Sequence, residues 1–142
     1  MPARRRTPEP VGRAAVSAWQ GGEASRAEVL TAVRYTLEEL AARNPGGAVE
    51  VRVPPAGVVQ IGVADGAGGA EAGRAVEPAS AASDGRNPRH TRGTPPAVVE
   101  TTCDVWLRLA TGALAWDDAV DSGAVSASGR RAILRDLLPV VD

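Results

Sequence analysis

Apolar positions along the chain keep a helical period, then an alternating one, then a helical one again. Val11, Ala14, Ala15, Ala18 and Trp19 recur at helical spacing before the stop Gly21-Gly22, which predicts a short first helix. Ser25-Arg26-Ala27-Glu28 has the form of a capping box, in which a hydroxyl and a carboxylate satisfy two otherwise unpaired amides. Behind it Val29, Val33, Leu37 and Leu40 form one stripe, with Arg34–Glu38 and Glu39–Arg43 as i,i+4 pairs, and Asn44-Pro45-Gly46-Gly47 ends the helix. The period then becomes two. Val49, Val51 and Val53 alternate with Glu50 and Arg52, and past Pro54-Pro55-Ala56-Gly57 the residues Val59, Ile61 and Val63 repeat the pattern. A half-buried hairpin is expected.

From Ala64 to Asn87 the chain is nearly all Ala, Gly, Ser and charge, which buries too little apolar surface to offset its ordering entropy. A disordered loop inserted at about residues 64–88 is the expectation. Its Gly66, Gly68 and Gly69 follow no clean strand-to-helix junction, so a linker is preferred to a phosphate cradle. Ala97 to Glu100 reads as a strand, and Thr101 with Asp104 as the cap of a helix carrying Trp106, Leu107, Leu109 and Ala110 up to Gly112. A short helix with Asp117 and Asp118 at its start ends at Gly123; Val125 and Ala127 alternate with Ser126 and Ser128 as another strand. Ala132 to Leu138, stopped by Pro139, is a last helix or turn. Residues 1–10 are Arg- and Pro-rich and read as a flexible tail, which leaves 11–142 as a single domain.

The 16 basic and 17 acidic residues are dispersed and leave a net charge of -1, with no basic stripe of the kind that nucleic-acid binders use. All the basic residues are arginine; the absence of lysine excludes a P-loop of the usual kind, a Schiff-base amine and a Ser-Lys dyad. Cys103 is the only cysteine, so no intrachain disulfide forms. The start "MPARRRTPEP" is charged like a signal peptide but lacks its apolar run, and no later segment reaches the roughly 20 apolar residues of a membrane span. A cytoplasmic protein is expected.

Four motifs occur in order near the end: "WLRLATG" on Trp106 to Gly112, "WDDAVDSG" on Trp116 to Gly123, "VSASG" on Val125 to Gly129, and "LLP" on Leu137 to Pro139. Together they resemble the C-terminal part of the sterol carrier protein family. More narrowly, "AVRYTLEELA", "VEVRVPP" and "RHTRGTPP" followed by "VVET" resemble a short, stand-alone bacterial branch of it, covering 11–63 and 89–140. Two departures stand out: the loop at 64–88 is longer than that branch implies, and Ile133 to Arg135 replace an Asp-Leu-Ser type of turn. The resemblance implies an α/β (α+β) fold, with a mixed, mainly antiparallel sheet of four or five strands and helices packed on one face. Relatives of that architecture hold a fatty acyl chain or sterol in an apolar tunnel between sheet and helices, and catalytic residues are not part of the family's pattern.

The function expected on this resemblance is that of a non-catalytic binding protein for an apolar or amphipathic small ligand, with no cofactor and no metal. Such a pocket would be lined by Tyr35, Val51, Val59, Ile61, Trp106, Leu109, Trp116 and Leu138. The tryptophans serve equally as core packing, and a filled core would make the domain an accessory or protein-interaction module instead. Cys103, near a helix start, is an inert thiol or a dipole-activated one. Asp117 and Asp121 share a helical face that is either solvated or a seat for a hard cation, and we expect the solvated one.

"RHTRGTPP" at 89–96 surrounds the only histidine. Three readings stand. Arg89, His90 and Arg92 present donors to a ligand's anionic head; Gly93 and Pro95-Pro96 merely shape the approach to a strand; or His90 works with Cys103 in catalysis. No nucleophile, base and orienting carboxylate can be assembled around His90 from the sequence, so an enzyme is the least favoured.

Overall fold

The computed structural model describes residues 7–63, 97–129 and 132–141. The loop at 64–88 and the stretch holding Arg89, His90 and Arg92 lie outside the described residues.

The element that organises the rest is the second helix, α2 (Arg26–Arg43), preceded by α1 (Glu9–Gln20). The capping box forms as expected: the Glu28 amide donates to Ser25 Oγ at 3.1 Å and the Ser25 amide to Glu28 Oε1 at 2.9 Å. Its burial is wider than the four-residue stripe read from the sequence. Ala32, Tyr35, Thr36 and Ala41 are buried together with Val33, Leu37 and Leu40, because α2 is packed on more than one side. Tyr35 meets α1 where Gly12 lets the ring in; a Cβ at Gly12 would overlap the Tyr35 ring carbons. Leu37 Cδ1 reaches the second strand beside Gly57, and Thr36 faces α3 (Cys103–Thr111).

Four strands form one sheet in the order β2-β1-β3-β4, with β1 at Val49–Val53, β2 at Gly57–Ile61, β3 at Ala97–Thr101 and β4 at Val125–Ser128. The β1–β2 and β3–β4 pairs are antiparallel and β1–β3 is parallel, so the sheet is mixed and mainly antiparallel. Register places Val59, Val51, Val99 and Ala127 side by side on one face, covered by the helices at Val51 and Val99 and open at Ala127. On the other face Arg52 lies between Glu50, at 3.3 Å, and Glu100, at 4.0 Å, with the exposed Val58 paired to it on β2.

Several boundaries differ from the sequence reading. Helix α1 begins at Glu9, inside the stretch read as tail, with Pro8 before it, and the Thr7 amide donates to Glu38 Oε1. Glu38 is thereby occupied, and Arg34 Nε donates to the Ala56 carbonyl at 3.2 Å, so the expected Arg34–Glu38 pair gives way to two longer-range bonds; Arg43–Glu39 forms at 3.1 Å. Thr102, not Thr101, caps α3, accepting from the Val105 amide; Thr101 is the last residue of β3, its hydroxyl donating to the Ala124 carbonyl at 2.8 Å. Gly112 at φ +86° ends α3 in the left-handed conformation that favours glycine.

Helix α4 (Trp116–Asp121) comes next, and the last helix shrinks to a single 3-10 turn at Arg135–Leu137. That final segment is nevertheless anchored. Leu134 is fully buried, the amides of Val140 and Val141 both donate to the Ala110 carbonyl, and Arg135 pairs with Asp117 at 2.7 Å.

Candidate binding clefts on helix α1

Most of the residues assigned to a ligand pocket lie in the core. Val51, Ile61, Trp106, Leu109 and Trp116 are buried in one apolar cluster between the sheet and the helices, with Val59 and Leu138 partly buried against it. Trp106 is fully buried, and its indole N–H donates to Thr36 Oγ1 at 2.8 Å. Thr36 in turn directs its own hydroxyl to the Ala32 and Val33 carbonyls, at 2.8 and 3.0 Å, so the polar atoms of this region are satisfied without a guest.

Three clefts among the described residues border α1, while a smaller one lies on the sheet beside Arg52 and Pro54. One cleft of about 630 Å³ separates the end of α1 from α3. Trp19, Ala24 and Val29 give it apolar wall, while Gln20, Asp104, Arg108 and Thr111 give it polar rim. Trp19 is the one tryptophan left partly exposed, because Gly21 and Gly22 end α1 just after it and no neighbour covers the ring fully. Arg108 is paired with Asp104 at 3.4 Å, a solvent-exposed i,i+4 contact on α3 that contributes little to stability.

A second groove, of about 430 Å³, runs along α1 beside Tyr35 and Val141 and shares Gln20 with the first. Tyr35 is therefore the one residue of the expected lining that borders a described cleft, and it does so from the core, at 2 % exposure. Trp19, Gln20, Arg13 and Arg108 were not singled out from the sequence as ligand contacts. The signal available was the Arg13–Ser17–Gln20 spacing, a polar i, i+4, i+7 row on an otherwise alanine-rich helix.

His90, the partner that a catalytic reading gives Cys103, lies outside the described residues. Burial pushes the Cys103 thiol above the usual thiol range, with the nearby Arg26 charge and a backbone hydrogen bond at Ala56 pulling the other way. Desolvation thus outweighs the nearby charge and the hydrogen bond that favour the thiolate. No group of three or more His, Cys, Asp or Glu placed to hold a metal occurs among the described residues, and Asp117 of the acidic cluster is taken by Arg135. Nor, among those residues, is any helix long and apolar enough to cross a membrane.

The family model described as bacterial SCP ortholog matches residues 25–72 and 62–140, taking in α2, the whole sheet, α3 and α4, with α1 ahead of both segments. No curated protein matches the chain. The matched segments span most of the sequence, and they hold the Trp106–Gly112, Trp116–Gly123 and Val125–Gly129 motifs in the positions the fold gives them; the chain belongs to the bacterial SCP ortholog family, SCP denoting sterol carrier protein.

Proposed function

We propose that the protein is a non-catalytic binding protein for an apolar or amphipathic small ligand, a fatty acyl chain or sterol-like lipid, taken up in the α1–α3 cleft. The observation that carries the reading is the partly exposed Trp19 forming one wall of a 630 Å³ cleft whose rim is polar, a size and chemistry suited to an amphiphile. Membership of the SCP ortholog family supports the ligand class. Burying a methylene contributes about 0.8 kcal/mol, so about ten fully buried contribute about 8 kcal/mol and the same chain half buried about 4. An open cleft therefore gives affinities between roughly millimolar and micromolar.

Titration of the lipid-stripped chain with a fluorescent fatty acid tests this. Saturable uptake between roughly micromolar and millimolar that is lost in Trp19→Ala supports it. Absence of uptake, or uptake indifferent to Trp19, contradicts it.

The filled space around Trp106 favours a second reading, an accessory or protein-interaction module that holds no ligand. Failure of every apolar probe to bind, with the fold intact by circular dichroism, is the result that selects it.

A further inference from the structure

We propose that the groove beside the α1–α3 cleft is the seat of a carboxylate head group, with Arg13 as the charge that selects it, Ser17 and Gln20 as further donors, and Tyr35 as the wall opposite. This deepens the amphiphile-binding reading and rests on it.

Arg13, Ser17 and Gln20 lie at i, i+4 and i+7 of α1 and line one groove. The row is polar on a helix whose other neighbours are largely alanine and valine. Opposite it stands Tyr35, whose ring is wedged against Gly12 and which lines the same groove as Arg13. A tyrosine packed this tightly is held in one orientation, so the surface it turns to the groove is set without an entropic cost at binding. Among the described residues the side chains of Ser17 and Gln20 have no hydrogen-bond partner.

Arg13 is already approached by one carboxylate. Glu9 takes its Nε at 3.0 Å, both side chains being more than half exposed, at 52 % and 68 %. Such a surface pair is weak and engages one of the guanidinium's five N–H donors, leaving the terminal nitrogens for a second anion. Because Gln20 borders both spaces, a head seated at Arg13 leaves its alkyl chain a short path to Trp19. The occupant that fits both ends is a long-chain carboxylate, not a neutral sterol.

The test compares a long-chain fatty acid with the alcohol of the same length, each competing with a fluorescent acyl probe on the full chain at pH 7.5. The acid is expected to bind about tenfold more tightly than the alcohol, the scale of one partly screened charge-assisted contact. Arg13→Gln erases that preference by weakening the acid more than the alcohol, and Glu9→Gln enlarges it by relieving the competing charge. Both substitutions are on exposed α1 positions, so neither threatens the fold. Equal binding of acid and alcohol by the unsubstituted chain, or a preference that survives Arg13→Gln, overturns the head-group seat and leaves the carrier reading standing. Binding of neither compound overturns both.

Discussion

The indole N–H of Trp106 donates to Thr36 Oγ1 at 2.8 Å across the seam between α3 and α2, and neither side chain has any exposure to solvent. The bond joins residues far apart in sequence at the centre of the core. Thr36 also occupies a mid-helix position where a hydroxyl usually returns to its own backbone, as it does here toward Ala32 and Val33. Thr36→Val is isosteric and removes the acceptor, leaving the indole donor unpaired in an apolar surrounding, and is expected to lower stability by about 1–3 kcal/mol. Thr36→Ser keeps the oxygen and is expected to cost less. Chemical denaturation of the two variants, and of Thr36→Val combined with Trp106→Phe, checks this; the double variant should lose less than the sum of the single losses.

Gly12 carries the close approach of α1 to α2. A methyl group there meets the Tyr35 ring carbons, and relieving the overlap means moving a ring that is packed at 2 % exposure. Gly12→Ala, which on helix propensity alone would gain up to about 1 kcal/mol, is expected instead to destabilise by about 1–3 kcal/mol through overpacking. Gly21→Ala is the control: its added methyl group would find only ordinary contacts, with Ser17 and Ala18 carbonyl oxygens at 3.6 and 3.8 Å. Thermal unfolding of the pair should separate them clearly, with Gly12→Ala melting lower.

The Cys103 thiol holds its proton to higher pH in the folded chain than it would unfolded, because burial disfavours the thiolate. The sign comes from linkage. The unfolded thiol loses its proton first as pH rises, so this contribution to stability is complete below the ordinary thiol range and is lost as pH climbs through the raised folded value. Alkylation by iodoacetamide at neutral pH is therefore expected to be slower than that of a free cysteine, and to accelerate only at alkaline pH. Cys103→Ser should flatten the alkaline fall in stability. Rapid labelling at pH 7 would contradict the assignment.

Much of the scaffold was legible from local chemistry. The capping box at Ser25–Glu28, the alternation from Val49 to Val53 and the stop at Gly112 each depend on residues adjacent in sequence, and each forms where the pattern put it. Departures arise where a distant partner competes. Glu38 leaves its i,i+4 neighbour for the Thr7 amide, Arg34 leaves for the Ala56 carbonyl, and Thr101 is drawn into β3 by the Ala124 carbonyl, passing the cap to Thr102.

The binding region was harder to read because burial is a property of the assembled layers. Trp19, Trp106 and Trp116 look alike as letters; only the ending of α1 at Gly21 leaves Trp19 partly open while the others close into the core. Arg13 and Tyr35 line one groove because Gly12 admits the ring against α1. The anion-binding reading of Arg89, His90 and Arg92 concerns residues outside those described.

Ligand uptake beside Trp19 is read most directly by a two-dimensional amide and indole NMR titration of the lipid-stripped chain with a long-chain fatty acid. The three tryptophans give three indole signals, which Trp-to-Phe variants assign. A ligand in the α1–α3 cleft shifts the Trp19 indole progressively to saturation while the Trp106 indole, held by Thr36, stays in place. Shifts of Trp106 with Trp19 unmoved, or no shift in any indole at saturating ligand, would contradict binding in that cleft.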